Sequence, residues 1–75
     1  MIEKKLKLII TFSSTHSAIA FERRLCDFGR LIPVPVSISA GCGLCFMAET
    51  KDKTEILEEA KSDGLIFDGC IEMMI

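Results

Sequence analysis

Residues 6–25 read LKLIITFSSTHSAIAFERRL, and within them a strand-like pattern gives way to a helix-like one. The apolar, β-rich run from Leu6 to Phe12 predicts a central strand. Ser14 or Thr15 then offers a helix N-cap, because a hydroxyl there can accept a hydrogen bond from an otherwise unpaired backbone N–H. The apolar residues beyond this cap have the spacing of one helix face: Ala18, Phe21, Leu25 and Phe28. The stretch therefore predicts a β-strand followed by an α-helix.

The segments that follow continue this alternation. Gly29 is expected to end the first helix. Residues 31–36 predict a strand at a sheet edge, because Pro33 and Pro35 cannot donate hydrogen bonds to a neighbouring strand. A buried strand, a helix with a capping box and a last strand are predicted in that order over residues 43–48, 52–64 and 66–74.

The predicted order of elements is β-α-β-β-α-β. Two right-handed crossovers in this order give a ferredoxin-like α+β sandwich, with a four-stranded antiparallel sheet and both helices on one face. We expect the first and third strands to be central and parallel, with the second and fourth at the edges. A length of 75 residues predicts one such domain, over residues 1–75.

Charge and hydropathy exclude several classes of protein. Nine basic and eleven acidic residues give a net charge of −2, which argues against general nucleic-acid binding. No apolar run approaches the roughly 20 residues that cross a bilayer, and the run near the N-terminus is too short for a secretory signal. We therefore expect a cytoplasmic protein without membrane association, whose four cysteines are thiols, metal ligands or redox groups rather than structural disulfides.

The basic residues are concentrated early in the chain. Residues 1–30 hold six basic and three acidic residues, whereas residues 31–75 hold three basic and eight acidic ones. Two interpretations stay open. The chain has two solvated faces of different charge, or it has a docking patch for an acidic partner centred on Arg23, Arg24 and Arg30.

Cys42-Gly43-Leu44-Cys45 is the most informative short motif. Two thiols at this spacing can form a disulfide, share a metal ion, or act as nucleophile and resolving thiol. Glycines on both sides of Cys42 leave its sulfur approachable, as a thiol that enters another protein's active site requires. Cys45 is expected to face the opposite side of its strand from Leu44 and Phe46, so it is either a resolving thiol or a core residue.

Metal and thioredoxin-like alternatives fit the motif less well. Structural zinc needs four ligands, whereas Cys26 and Cys70 stand alone and are expected to fill the core. A thioredoxin-like pair would open a helix, but Cys42 and Cys45 precede predicted strand. We expect no metal and no cofactor.

His16 is the one histidine of the chain. A nucleophilic pair with Cys42 is a chemical option. With parallel central strands, however, the turn that holds His16 and the loop before the third strand lie at opposite ends of a strand about 17–20 Å long. We therefore expect His16 not to activate Cys42, and the Thr15–His16 pair either to cap the helix or to bind a small anion there.

Several stretches together resemble one known family. They are Thr11-Phe12-x-Ser14-Thr15-His16-x-Ala18 with Glu22 further on, Arg30-Leu31-Ile32-Pro33-Val34-Pro35, Ile38-Ser39 and Cys42-Gly43-Leu44. Over nearly its whole length the chain resembles the selenium/sulfur (Se/S) carrier protein-like family. The resemblance implies a carrier thiol at Cys42, kept accessible by Gly43. It also implies a second signature of unassigned role at Ser14, Thr15 and His16.

Two departures from the family pattern bear on the chemistry. Val36 stands where a basic residue often follows the second proline, which weakens the case for a stabilised thiolate at Cys42. Cys45 is not a fixed part of the pattern. It adds the option of an internal disulfide that protects or discharges a persulfide on Cys42.

The leading interpretation is a non-enzymatic carrier. Cys42 would take a persulfide, or its selenium equivalent, from a desulfurase-like donor and pass it to an acceptor. Two alternatives stay open: a dithiol redox or metal-binding module using Cys42 and Cys45, and a ferredoxin-like interaction or regulatory domain with incidental thiols. Protein partners are expected, while a homodimer and the choice between sulfur and selenium stay open.

Overall fold

The computed structural model describes residues 5–34 and 43–74. These residues contain the predicted strands and helices in the predicted order, with a short 3₁₀ turn before the second helix. The elements are β1 (Leu6–Thr11), α1 (Thr15–Leu25), β2 (Gly29–Pro33), β3 (Leu44–Glu49), the 3₁₀ turn (Thr50–Asp52), α2 (Lys53–Ser62) and β4 (Gly69–Met74). Pro35, Val36 and Cys42 lie outside the described residues. None of the helices described is long and apolar enough to cross a membrane.

The four strands form one sheet in the order β2-β3-β1-β4, and every neighbouring pair is antiparallel. The ferredoxin-like α+β prediction is therefore confirmed, as are the central strands β1 and β3 and the edge strands β2 and β4. The expectation that β1 and β3 run parallel is wrong. Each crossover helix returns the chain parallel to the strand it left, but the β2–β3 connection reverses the chain. The third strand must then run against the first.

The core lies between the sheet and the two helices. Its centre is Phe21 of α1, whose ring meets Phe12 at 5.3 Å and Phe46 at 5.2 Å between centroids, both edge to face. The buried residues of this core are Leu8, Ile10, Phe12, Ala18, Phe21, Leu25, Phe46, Ala48, Ile56 and Ala60. Side chains from β1 and β3 that alternate with these face the other side of the sheet.

The first helix begins as predicted and ends earlier than predicted. Ser14 is the N-cap, and its hydroxyl oxygen accepts from the Ser17 N–H at 3.3 Å. The helix ends at Leu25 with Cys26 as C-cap. Gly29 therefore does not cap α1; it opens β2, where an added Cβ would lie 2.0 Å from the Met47 carbonyl oxygen. Glycine is needed there for the close approach of β2 to β3.

The second helix confirms one of its two end signals. Gly64, in the left-handed region with φ of 67°, follows the end of α2 and stops it as predicted. Asp52 occupies the N-cap position, but its side chain makes no capping hydrogen bond. The predicted capping box with Glu55 is wrong because the 3₁₀ turn leaves Asp52 at φ −93° and ψ 3°, whereas a capping side chain needs extended backbone.

Candidate functional site

One end of the sheet brings residues 14–16 close to Gly43 and Leu44, the described residues of the Cys42-Gly43-Leu44 stretch. At this end β1 finishes and β3 begins, so that Thr11 pairs with Cys45. The end of β2 and the start of β4 lie there as well, because Pro33 pairs with Leu44 and Thr11 with Gly69. Residues 13–16, which continue from β1, therefore leave the sheet beside the point where residue 43 enters it. We call this end of the sheet the signature end.

The expected separation of His16 from the loop before β3 is wrong, because it followed from parallel central strands. In an antiparallel pair, opposed residues such as Thr11 and Cys45 have α-carbons about 4.5–5.5 Å apart. His16 lies in the first turn of α1, which starts at the same end. The topological objection to a pairing of His16 with Cys42 therefore disappears, although Cys42 itself lies outside the described residues.

Gly43 is the described residue that adjoins Cys42 in sequence. It is exposed, has φ of 76°, and has no atom within 4 Å of an added Cβ. Its carbonyl oxygen accepts a hydrogen bond from the Val34 N–H at 3.0 Å. This bond joins the residue that follows β2 to the residue that precedes β3. Residues 35–42 make the connection between them. The approach to the chain at Gly43 is thus open.

Cys45 is fully buried in β3. Leu44 and Phe46 pack against the helix-side core, so Cys45 faces the opposite side of the sheet, as predicted. There it is paired with Thr11 on one side and Ile32 on the other. A resolving role for Cys45 would require this side chain to leave its buried position, whereas a packing role does not.

The Ser14-Thr15-His16 signature divides into a structural and an exposed part. Ser14 caps α1, and its hydroxyl also lies 3.0 Å from that of Ser17. Thr15 and His16 are exposed. His16 lies at one end of a cleft of about 580 Å³ along α1. Sequence reasoning missed this cleft, although the spacing of His16, Ile19 and Arg23 at intervals of three and four could have indicated an outward helix face.

Glu22, part of the same resemblance, has a structural role that the sequence did not indicate. Its carboxylate accepts a hydrogen bond from the Leu31 N–H at 2.9 Å. The contact ties α1 to β2. A half-buried carboxylate bonded to a backbone donor stabilises the crossover between these two elements.

The remaining cysteines differ in exposure. Cys26 is exposed, so the expectation that it fills the core is wrong; it follows Leu25 around the helix axis and turns away from the buried face. Cys70 is half-buried and packs against the core. Burial raises the pKa of the Cys70 thiol, while Lys53 opposes the rise and Glu72 adds to it. Within the described ranges no three His, Cys, Asp or Glu side chains are placed to hold a metal ion.

The three arginines of the predicted patch line two different clefts. Arg23 and Arg24 line the cleft along α1. Arg30 lines a second cleft of about 410 Å³ with Cys26 and Lys7, away from the signature end. The Lys7 ammonium, hydrogen-bonded to Glu49, holds the pKa of that carboxyl below its usual value.

The fold defines a ferredoxin-like α+β domain, and residues 43–45, the described part of its cysteine motif, lie at the signature end of the sheet. The family model described as "Putative Se/S carrier protein-like" matches residues 7–72, and the chain belongs to this family. The family description is compatible with a non-catalytic role and with protein partners. No curated protein and no solved structure matches the chain.

Proposed function

We propose that the chain is a sulfur or selenium carrier whose cargo is bound covalently at Cys42. Family membership supports a carrier role. The observation that supports the choice of site is the antiparallel register, with Thr11 opposite Cys45, because it brings the segment 14–16 and Gly43, the neighbour of Cys42 in sequence, to one end of the sheet. Gly43, which the peptide bond joins to Cys42, is exposed and unobstructed at that end.

The proposed step transfers a sulfane sulfur between thiols without net oxidation. The Cys42 thiolate attacks the terminal sulfur of a donor cysteine persulfide. A new S–S bond forms on Cys42, the donor's S–S bond breaks, and the donor leaves as a thiolate that takes up a proton. An acceptor thiolate then repeats the exchange on the Cys42 persulfide. A selenium atom in the terminal position would follow the same course.

We propose that His16 assists this step from the signature end. A protonated imidazole near a thiol favours the thiolate, which is the nucleophilic form. Such a contribution would offset the loss of the basic residue that Val36 replaces in the family pattern. Carrier action in the cytoplasm, with a desulfurase-like protein as donor and a second protein as acceptor, completes the proposal.

Intact-protein mass spectrometry tests the site. The chain is incubated with cysteine and a pyridoxal-phosphate-dependent cysteine desulfurase, and the mass is read without added reductant. We expect one added sulfur on the natural chain and on Cys26→Ser, which removes the exposed thiol of α1's C-cap. We expect none on Cys42→Ser. Equal labelling of Cys42→Ser and the natural chain would contradict the proposal, and selenocysteine in place of cysteine tests the selenium alternative.

The same incubation distinguishes the carrier from the dithiol redox alternative. If Cys45 resolves the persulfide, Cys45→Ser accumulates more added sulfur than the natural chain, because the internal disulfide can no longer form. Because Cys45 is fully buried, we expect the two proteins to load equally. Excess loading of Cys45→Ser would instead support the redox module.

A further inference from the structure

We propose that the cleft along α1 is a docking groove for an acidic amphipathic helix of a protein partner. Its lining residues are His16, Ile19, Ala20, Arg23, Arg24 and Leu65. The proposal goes beyond the carrier thiol. It rests on the proposed function only in identifying the partner as the sulfur donor or acceptor.

The groove is long enough for about two turns of a helix. Its α1 residues span positions 16 to 24, which corresponds to about 12 Å along the helix axis. The apolar residues that line it, which we call its apolar floor, are Ile19, which is 41% exposed, Ala20, and Leu65 from the α2–β4 connection. An apolar strip of this length accommodates two turns of a partner helix, whose apolar residues recur at intervals of three and four.

The charges around the groove favour an acidic occupant. No carboxylate in residues 5–34 or 43–74 forms an ion pair with the exposed Arg23. Arg24 forms an ion pair with Asp63, with 3.2 Å between Nη2 and Oδ1. The α1 carboxylate, Glu22, is engaged by the Leu31 N–H. The groove is therefore positive although the chain as a whole is negative.

The other helix would repel the same partner. The exposed residues of α2 include three glutamates, which are Glu55, Glu58 and Glu59. An acidic helix is thus attracted to α1 and repelled from α2, and this difference orients the encounter. Because the groove begins at His16, a helix bound in it has one end at the signature end. This placement brings the partner's reacting group toward the signature end.

An NMR titration tests the groove directly. The probe is a synthetic, end-capped helical peptide of leucine and glutamate, with leucines at intervals of three and four, added to the ¹⁵N-labelled chain. We expect saturable shifts of the amides of α1 and Leu65. Arg23→Glu is expected to weaken binding about three- to tenfold, since it removes an exposed attraction and adds a repulsion. Ile19→Ser is expected to weaken it as well, because it removes part of the apolar floor.

Arg30→Glu is the matched control, since it makes the same change of charge in a different cleft. We expect it to leave the affinity within about twofold of the natural value, because solvent and salt screen an exposed charge that lies outside the groove. Arg23→Gln, a milder change at the same exposed site, is expected to fall between the natural chain and Arg23→Glu. Native-like spectra of each free variant show that it is folded.

Three results would overturn the groove: no saturable binding, shifts centred on another surface, or equal weakening by Arg23→Glu and Arg30→Glu. The titration involves no thiol chemistry. Its failure would therefore leave the Cys42 carrier proposal standing, and failure of Cys42 to load would leave the groove standing.

Discussion

Replacing Gly29 by alanine tests how closely β2 approaches β3. The added Cβ would lie 2.0 Å from the Met47 carbonyl oxygen and 2.9 Å from the Met47 carbonyl carbon. Favourable carbon contacts are about 3.5–4.0 Å, and backbone atoms cannot rotate away, so the strands must separate by roughly an ångström or more. We expect Gly29→Ala to lower the free energy of unfolding by about 1–3 kcal/mol, the usual cost of overpacking. The shift would also strain the Glu22–Leu31 hydrogen bond.

Equilibrium urea unfolding measures this loss. A chain of 75 residues has a free energy of unfolding of about 4–11 kcal/mol, so the variant should remain folded in water. Gly43→Ala is the control, because its Cβ meets open space and its cost of about 1–2 kcal/mol arises from positive φ alone. Amide shifts near Gly29, Met47 and Ala48 should therefore change in Gly29→Ala and not in Gly43→Ala, because residue 43 lies at the opposite end of the β2–β3 pair. A loss below about 0.5 kcal/mol in Gly29→Ala, with unchanged β2 shifts, would refute the close approach.

Three further predictions concern the cap, a half-buried thiol and the histidine. Ser14→Ala should lower the free energy of unfolding, measured in urea, by about 1 kcal/mol because it removes the N-cap of α1. The control Thr15→Ala, at an exposed neighbouring position, should lower it by less than about 0.5 kcal/mol. Equal losses in the two variants would contradict the capping role of Ser14. Because the pKa of Cys70 is raised, its contribution to stability is complete below the unfolded thiol's value of about 8.5 and is lost as pH rises through the folded value. The free energy of unfolding of Cys70→Ala, measured in urea, should therefore fall less at alkaline pH than that of the natural chain. An equal fall in the two proteins would exclude Cys70 as the cause. His16→Ala should slow alkylation of Cys42 by iodoacetamide at neutral pH, as followed by peptide mapping, and an unchanged rate would rule out the assisting role.

Much of the fold was predictable because local signals agree with one another. The Ser14 hydroxyl caps α1 where the strand pattern stops, and Gly64 takes the left-handed conformation just beyond α2. The alternation of side chains along β3 correctly placed Cys45 on the other face of the sheet from Phe46. The antiparallel direction of β3 was also derivable from the order of elements, since one chain reversal between two parallel crossovers requires it.

Other features depend on contacts that local patterns do not contain. A glycine that follows a helix resembles a C-cap in sequence. The reason for glycine at position 29 is instead the Met47 carbonyl oxygen on β3, which leaves no room for a Cβ. The Asp52–Glu55 spacing matches a capping box, but the 3₁₀ turn determines the backbone at Asp52. Cys26 lies one position beyond the last buried residue of α1, which is enough to turn it outward.

The candidate site was predictable as a set of residues and not as an arrangement. The resemblance singled out Cys42, Gly43 and the segment 14–16 without relating them in space. The approach of Gly43 to the segment 14–16 follows from strand direction, which the expected parallel pairing had reversed. The docking groove was hidden for a different reason. Its wall at Leu65 comes from a connection that approaches α1 only in the folded chain.

We propose that the chain carries sulfur at Cys42 and not at the exposed thiol of Cys26. The most direct test of this proposal is peptide mapping of the natural chain after loading by a cysteine desulfurase with less than one equivalent of cysteine, with persulfides trapped by alkylation. We predict that the trapped sulfur lies in the peptide containing Cys42, while Cys26 stays unmodified although it is exposed. Sulfur on Cys26 equal to or exceeding that on Cys42 would contradict the account.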